Sequence, residues 1–218
     1  MNLTAYIELC LLKPDTLVAD LKELCARAID EKYPGICVPP IFVKQAKACI
    51  GTADIRVAAV IGFPFGYAAV EAKVAEIVLA IIDGADEVEM VINTIAVKNN
   101  DWQYLASEIN TVMPILRSKG KKITVIIESG LMTKKELIAA CDIYGAAAVD
   151  FVKLGTGFIK NETIMEQVEL VRGHLAAPVQ LKVCTDTGNF SKNQDLVKAG
   201  ANRLCVNSSL QVDKQNIV

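Results

Sequence analysis

A chain of 218 residues is long enough for one large domain, and its 52% hydrophobic content demands a correspondingly large core. A formal charge of −2 with both signs interspersed offers no basic footprint for nucleic acid. Charge, Gly or Pro interrupts every apolar stretch before it reaches the length of a membrane span. Neither nucleic acid nor a membrane is therefore an expected partner.

The chain opens Met1-Asn2-Leu3-Thr4-Ala5-Tyr6, without the basic start and small-residue cleavage site of a signal peptide, so a cytoplasmic location is expected. Short apolar runs then alternate with amphipathic stretches. Strands are predicted over 7–11, 35–38, 56–62, 87–92, 123–128, 149–154, 179–183 and 203–206. Helices are predicted over 16–32, 41–49, 67–82, 102–119, 134–144, 162–174 and 192–199. Thr133 to Glu136 and Ser191 to Gln194 each fit a capping box. Gly84, Gly120, Gly145 and Gly200 fall where a left-handed residue would end a helix. Gly84-Ala85-Asp86, Gly145-Ala146-Ala147 and Gly200-Ala201-Asn202 form a weak internal echo, each ahead of a strand.

No linker or composition break divides residues 1–218, so one domain is expected. Eight mostly apolar strands imply a parallel sheet covered by helices. An open sheet that binds a nucleotide would carry glycines after its first strand, yet that loop reads Leu12-Lys13-Pro14-Asp15. The expected fold is α/β, a single (β/α)8 TIM barrel, with chemistry at the C-terminal ends of its strands. Lys153, Lys182, Glu128 and Cys37 would sit there.

Seven cysteines without a C-x-x-C pair are expected as reduced thiols, several of them filling the core. The single histidine, His174, belongs to a helix end. No His/Cys/carboxylate cluster suggests a metal site, and no cofactor is expected.

Lys153 and Lys182 stand on successive buried strands, where a charge is hardest to hide. Burial and a neighbouring cation both favour the neutral amine, which is the form that attacks a carbonyl. Glu89 lies mid-strand, where a carboxylate is costly without a partner, and a lysine in the barrel mouth would supply one. An amine nucleophile, an electrostatic neighbour and a proton-relay carboxylate together suit imine chemistry. A purely structural ion pair is the competing reading.

Phe151-Val152-Lys153-Leu154-Gly155-Thr156-Gly157-Phe158 resembles the Schiff-base strand of the deoxyribose-phosphate aldolase family. Leu11-Leu12-Lys13-Pro14, Cys37-Val38-Pro39-Pro40, the run from Val60 to Gly66, the run from Gly84 to Asn93 and the run from Val125 to Leu131 recur in the family's order and spacing. The resemblance implies a class I aldolase that cleaves 2-deoxy-D-ribose 5-phosphate to acetaldehyde and D-glyceraldehyde 3-phosphate. Lys153 would form the imine, Lys182 would tune it, and Glu89 would take the place of the family's aspartate. Substrate contacts are implied at Cys37, Thr156, Gly157, Thr185, Asn207 and Ser208. The expected partners are a small aldehyde or sugar phosphate and a second copy of the chain.

The chain departs from the family pattern at several points. Glu89 adds a methylene to the relay, Glu8-Leu9-Cys10 stands for D-H-T, and Leu154-Gly155 stands for T-S. Asp186 falls near the expected phosphate loop, and Cys205-Val206-Asn207-Ser208 replaces a small G-x-S-S segment. The chain ends at Val218, which implies a last helix cut short and no C-terminal tyrosine. These changes open two alternatives: an aldolase for a different or non-phosphorylated substrate, and a non-catalytic barrel that serves as a binding partner.

Overall fold

The structure is a computed structural model that describes residues 2–185 and 188–212. Eight parallel strands close into a barrel in chain order: β1 (Ile7–Cys10), β2 (Gly35–Val38), β3 (Arg56–Ile61), β4 (Glu87–Val91), β5 (Lys122–Ile127), β6 (Phe151–Leu154), β7 (Gln180–Thr185) and β8 (Arg203–Asn207). Among the described residues, eight α-helices lie outside: α1 (Val18–Asp30), α2 (Val43–Ile50), α3 (Val70–Ile82), α4 (Thr94–Lys98), α5 (Trp102–Ser118), α6 (Lys134–Ala146), α7 (Ile164–His174) and α8 (Phe190–Lys198). This is the (β/α)8 barrel that the alternating pattern predicts. Asp186 and residues 213–218, on which the phosphate-loop and last-helix expectations rest, lie outside the described residues. Among the described residues, no helix is long and apolar enough to cross a membrane.

The strand period of two sorts the residues into two environments. Leu9, Ile36, Val57, Val88, Val125, Val152, Leu181 and Leu204 belong to the large apolar layer that the strands share with the helices. The opposite face of the same strands carries Glu8, Glu87, Glu89, Lys153, Lys182 and Arg203, all buried. A small apolar cluster of Cys10, Cys37, Ala58, Val60 and Cys205 accompanies them. The hydrophobic core is thus the shell around the barrel, and the barrel's interior is charged. Gly35 makes room for that interior, since a Cβ there would stand 3.3 Å from Glu8 Oε2.

The internal echo survives in corrected form. Asp86 Oδ2, Asp150 Oδ2 and Asn202 Oδ1 accept from the backbone N–H of Val57, Ile123 and Leu181 at 2.8, 3.0 and 2.9 Å. Each acceptor precedes an even-numbered strand and satisfies the second residue of the strand before it. Two residues earlier the chain turns left-handed, at Gly84 (φ 103°), Ala148 (φ 51°) and Gly200 (φ 118°). Gly145 is therefore not the left-handed residue expected of it: α6 runs through it to Ala146, and Ala148 takes the strained place.

Other local signals resolve differently. Thr133 and Glu136 form the predicted capping box, whereas the box over 191–194 does not form. Asn189 caps α8 instead, accepting from Lys192 N at 3.0 Å. The single-turn α4 escaped the sequence reading because five residues are too few for a helical period to register. Its cap is Asn93, whose side chain accepts from Ile95 and Ala96 N.

The cysteines correct a further expectation. Cys10 and Cys205 form a disulfide across the β1–β8 seam, with Cα atoms 6.1 Å apart despite a sequence separation of 195 residues. Barrel closure makes the first and last strands neighbours, which a linear spacing rule cannot show. The other five cysteines are thiols outside any disulfide. Ala148 generates one test: an alanine at positive φ is strained where glycine is not. Ala148→Gly should raise stability by about 0.5–1 kcal/mol, read as an upward shift of the urea midpoint with an unchanged slope.

Candidate active site

Glu89 lies at the centre of the charged interior. Its Oε2 accepts from Lys153 Nζ at 2.7 Å and its Oε1 from Lys182 Nζ at 2.5 Å, with all three side chains fully buried. The register explains the meeting. Lys153 pairs with Lys182 across β6 and β7, and the inward face of β4 carries Glu89 across the barrel. Lys182 also donates to Glu8 Oε1 and Oε2, at 3.2 Å each. Below it, Arg203 Nη1 reaches Glu87 Oε2 at 2.6 Å and Glu8 Oε2 at 3.2 Å. Phe151 floors this layer, with Lys182 Nζ and Arg203 Cζ 5.0 and 4.4 Å from its ring centroid.

These contacts set the protonation of each group. Burial alone would raise the Glu89 carboxyl, but Lys153 and Lys182 outweigh it and hold the group well below the usual carboxylate range. Burial alone would lower Lys153, but Glu89 outweighs it and holds the ammonium above the ordinary lysine range. Lys182 is likewise raised, by Glu8 and Glu89 against burial. Glu8 goes the other way, because burial pushes its carboxyl up more than Lys182 pulls it down. The sequence reading expected Lys153 to rest as a neutral amine beside a cation. The structure corrects this: a carboxylate is wedged between the two ammoniums, so both lysines rest protonated.

Above this layer opens a cavity of about 990 Å³, walled by Lys153, Thr156, Gly157, Thr185 and Asn207 among the sequence candidates. Thr156 is pinned by Glu128, which accepts from its Oγ1 at 2.5 Å and its N–H at 3.1 Å. Gly157 adopts φ 87°. Thr185 Oγ1 donates to Asn193 Oδ1 at 3.2 Å. Asn207 Oδ1 accepts from Ser209 N and Oγ at 3.0 and 2.9 Å. Glu89 and Lys182 are not part of the cavity wall, and neither are two of the six substrate-contact candidates. Cys37 is buried behind Glu89, with its Sγ 3.5 Å from Oε2. Ser208 has its backbone bonded to Cys10 O and to Arg27, and Ser209 lines the cavity in its stead.

Glu8, Arg203, Cys10 and Cys205 were not among the candidates. Glu8 carries the same signal as Glu89, a carboxylate inside an apolar strand, and was read only as part of a departure from the family pattern. His174 has the helix-end role expected of it, its Nδ1 2.8 Å from Leu170 O. Two donor triads, Glu8 with Cys10 and Cys37 and Glu8 with Glu89 and Cys205, gather within 4.8 Å. They are poor metal sites: Cys10 and Cys205 are bonded to each other, and lysines already occupy the carboxylates.

Similarity to known proteins follows the same outline. The family model described as DeoC/LacD family aldolase matches residues 8–200. A deoxyribose-phosphate aldolase of Thermococcus gammatolerans is 37% identical over 97% of this chain and 95% of its own. That of Thermococcus kodakarensis is 36% identical over 97% and 95%. Among solved structures, an aldolase superposes with TM-score 0.89 at 27% identity, covering 97% of this chain and 94% of its own. The tetrameric deoxyribose phosphate aldolase of Aeropyrum pernix superposes with TM-score 0.88 at 23% identity, over 96% and 88%, a likeness of fold.

The lower layer supplies a test of its own. Arg203→Met would take from Glu87 its closest cation and from Glu8 one of its two. Removing one partner of a buried ion pair should cost about 3 kcal/mol, measured as a lower urea midpoint. An unchanged midpoint would mean that Lys182 and Arg56, whose Nε lies 3.2 Å from Glu87 Oε1, suffice to neutralise this layer.

Proposed function

The chain belongs to the DeoC/LacD family of aldolases, and on that premise we propose that it cleaves 2-deoxy-D-ribose 5-phosphate reversibly to acetaldehyde and D-glyceraldehyde 3-phosphate, with Lys153 as the imine-forming amine. The observation that carries this reading is the shared carboxylate of Glu89, in contact with both lysines, of which Lys153 lines the cavity.

Lys153 must shed a proton before it can attack the substrate aldehyde. Its hydrogen bond to Glu89 begins a chain that continues through Lys182 to Glu8, over contacts of 2.7, 2.5 and 3.2 Å. Glu89 is strongly acidic and a poor final acceptor, whereas burial raises the Glu8 carboxyl above its ordinary value and makes it the better acceptor of the two. In this reading Lys182 passes a proton to Glu8 as it takes one from Glu89, and Lys153 emerges neutral. The imine then draws electrons from the breaking C2–C3 bond. Loss of the C3 hydroxyl proton releases the three-carbon aldehyde phosphate, and protonation of the enamine at C2 precedes hydrolysis to acetaldehyde. General acid–base groups of this kind contribute typically 10²–10⁴-fold.

The far end of the cavity bears on the phosphate. Lys13, Lys160 and Lys192 line it together with Asn207 and Ser209, against the carboxylates Glu162 and Asp195. Lys160 is paired with Glu162 at 2.8 Å, while Lys13 Nζ donates to Ser209 Oγ at 3.3 Å. Among the described residues, no carboxylate lies within ion-pair distance of Lys13. This lining favours a phosphorylated substrate over the neutral, hydroxylated one that Asp186 suggested. Assembly into a homodimer belongs to the same reading, supported by the exposed apolar residues Ile41, Leu79 and Ile82.

Three outcomes are expected. Cyanoborohydride with acetaldehyde should leave a reduced adduct on Lys153, located by peptide mass spectrometry and absent from Lys153→Ala; folded protein without the adduct would return the reading to a non-catalytic barrel. Glu89→Gln removes the anion that holds the Lys153 ammonium. The pH midpoint of adduct formation should therefore fall while kcat drops about a hundredfold or more. Lys13→Ala should raise KM for the 5-phosphate about tenfold and leave activity on unphosphorylated 2-deoxyribose unchanged.

A further inference from the structure

The disulfide between Cys10 and Cys205 is part of the cavity wall, beside the amine that the proposed reaction uses. Cys205 Sγ stands 2.9 Å from Lys153 Nζ, closer than a structural fastening of the seam requires. Both cysteines line the cavity, so a small reductant can reach the bond from the substrate side. Cys10 is the more accessible, 6% exposed against 1% for Cys205. We propose that Cys10–Cys205 is a reversible two-electron switch on Lys153, permissive for imine formation as the disulfide and restrictive as the dithiol. This rests on Lys153 being the imine lysine.

The chemistry balances with a dithiol reductant. Its thiolate attacks Cys10 Sγ, the S–S bond breaks, and the Cys205 sulfur leaves as a thiolate. The second thiol of the reductant then displaces Cys10. Two cysteine thiols and one oxidised, cyclic disulfide of the reductant result, with two electrons and two protons transferred.

The consequence for Lys153 follows from charge. In the disulfide, Cys205 offers the ammonium a sulfur with no proton and no charge. A free thiol at that distance from a cation ionises more readily than an ordinary cysteine. Lys153 would then have a second anion beside it in addition to Glu89, and its proton would be harder to remove. The other titratable groups facing this site are Glu8 on β1, Cys37 on β2, Glu128 after β5, and Lys182 and Cys184 on β7. Glu8 Oε1, 3.9 Å from Cys205 Sγ, opposes ionisation of the thiol, while Lys153 at 2.9 Å promotes it and is the nearer.

The test compares the two states of the whole protein. One sample is reduced with a phosphine and desalted, the other is left untreated, and acetaldehyde capture at Lys153 by cyanoborohydride is timed in each. Alkylation after denaturation should modify five cysteines in the untreated sample and seven in the reduced one. Reduction should slow capture at pH 7 about tenfold or more and move its pH midpoint upward. Cys10→Ser leaves Cys205 as a thiol and should capture slowly with or without phosphine. The Cys10→Ala/Cys205→Ala variant should not respond to phosphine. Equal rates and midpoints in the two states would overturn the switch and leave a fastening of the barrel seam, and so would seven alkylated cysteines before reduction. No adduct in either state would instead remove Lys153 as the imine lysine, and the switch with it.

Discussion

The molecule is organised around one carboxylate that two ammoniums share in the buried interior of the barrel. An isolated charge in such a place is costly enough that it would be neutralised instead. Glu89 remains an anion because Lys153 and Lys182 are both within hydrogen-bond distance, and they remain cations because Glu89 is. The same condition spreads downward. Glu8 and Glu87 are set against Lys182 and Arg203, so three acidic side chains meet three basic ones inside the barrel. A substitution at any one of them leaves a partner stranded, and no member can be tuned alone.

A charged interior is possible because the apolar work is done elsewhere. The strands turn one face to the helices, and that shell supplies the burial that stabilises the domain. The interior face is free to carry chemistry at positions fixed by hydrogen-bonded register. Asp86, Asp150 and Asn202 tie successive strand pairs at their starts, on the side of the barrel away from the cavity. Precision in the site thus depends on backbone contacts at the opposite end of the same strands.

What the sequence disclosed divides along the same line. Strand and helix alternation depends on local pattern, and it placed every strand of the barrel. The pairing of Lys153 with Lys182 followed from their matching places on successive strands. Contacts across the barrel were less legible. Glu89 was expected to meet a lysine, but its position between two of them depends on closure and on the reach of a glutamate. The protonation of Lys153 was misjudged for that reason: a cation was expected as its nearest electrostatic neighbour, and an anion stands there. The disulfide escaped detection because its cysteines are 195 residues apart in sequence. Glu8 was misread through comparison with a family pattern, although its setting among Ile7, Leu9 and Leu11 carries the same signal as that of Glu89.

The departures from the family pattern form one connected set. Glu8, Cys10, Glu89 and Cys205 are separate substitutions along the chain, yet in the barrel each touches another or one of the two lysines. The longer glutamate reaches both lysines and fastens Lys153 as an ammonium. That would suppress an amine nucleophile unless another group could accept its proton. Glu8, which burial makes the more basic carboxylate, lies one lysine further along the chain of contacts and has that capacity. The disulfide withholds a thiolate from the remaining side of Lys153. Viewed singly, each change argues against retained chemistry. Taken with their contacts, Glu8 and the disulfide offset what Glu89 imposes, and the proposed reaction keeps a path for the proton it must move.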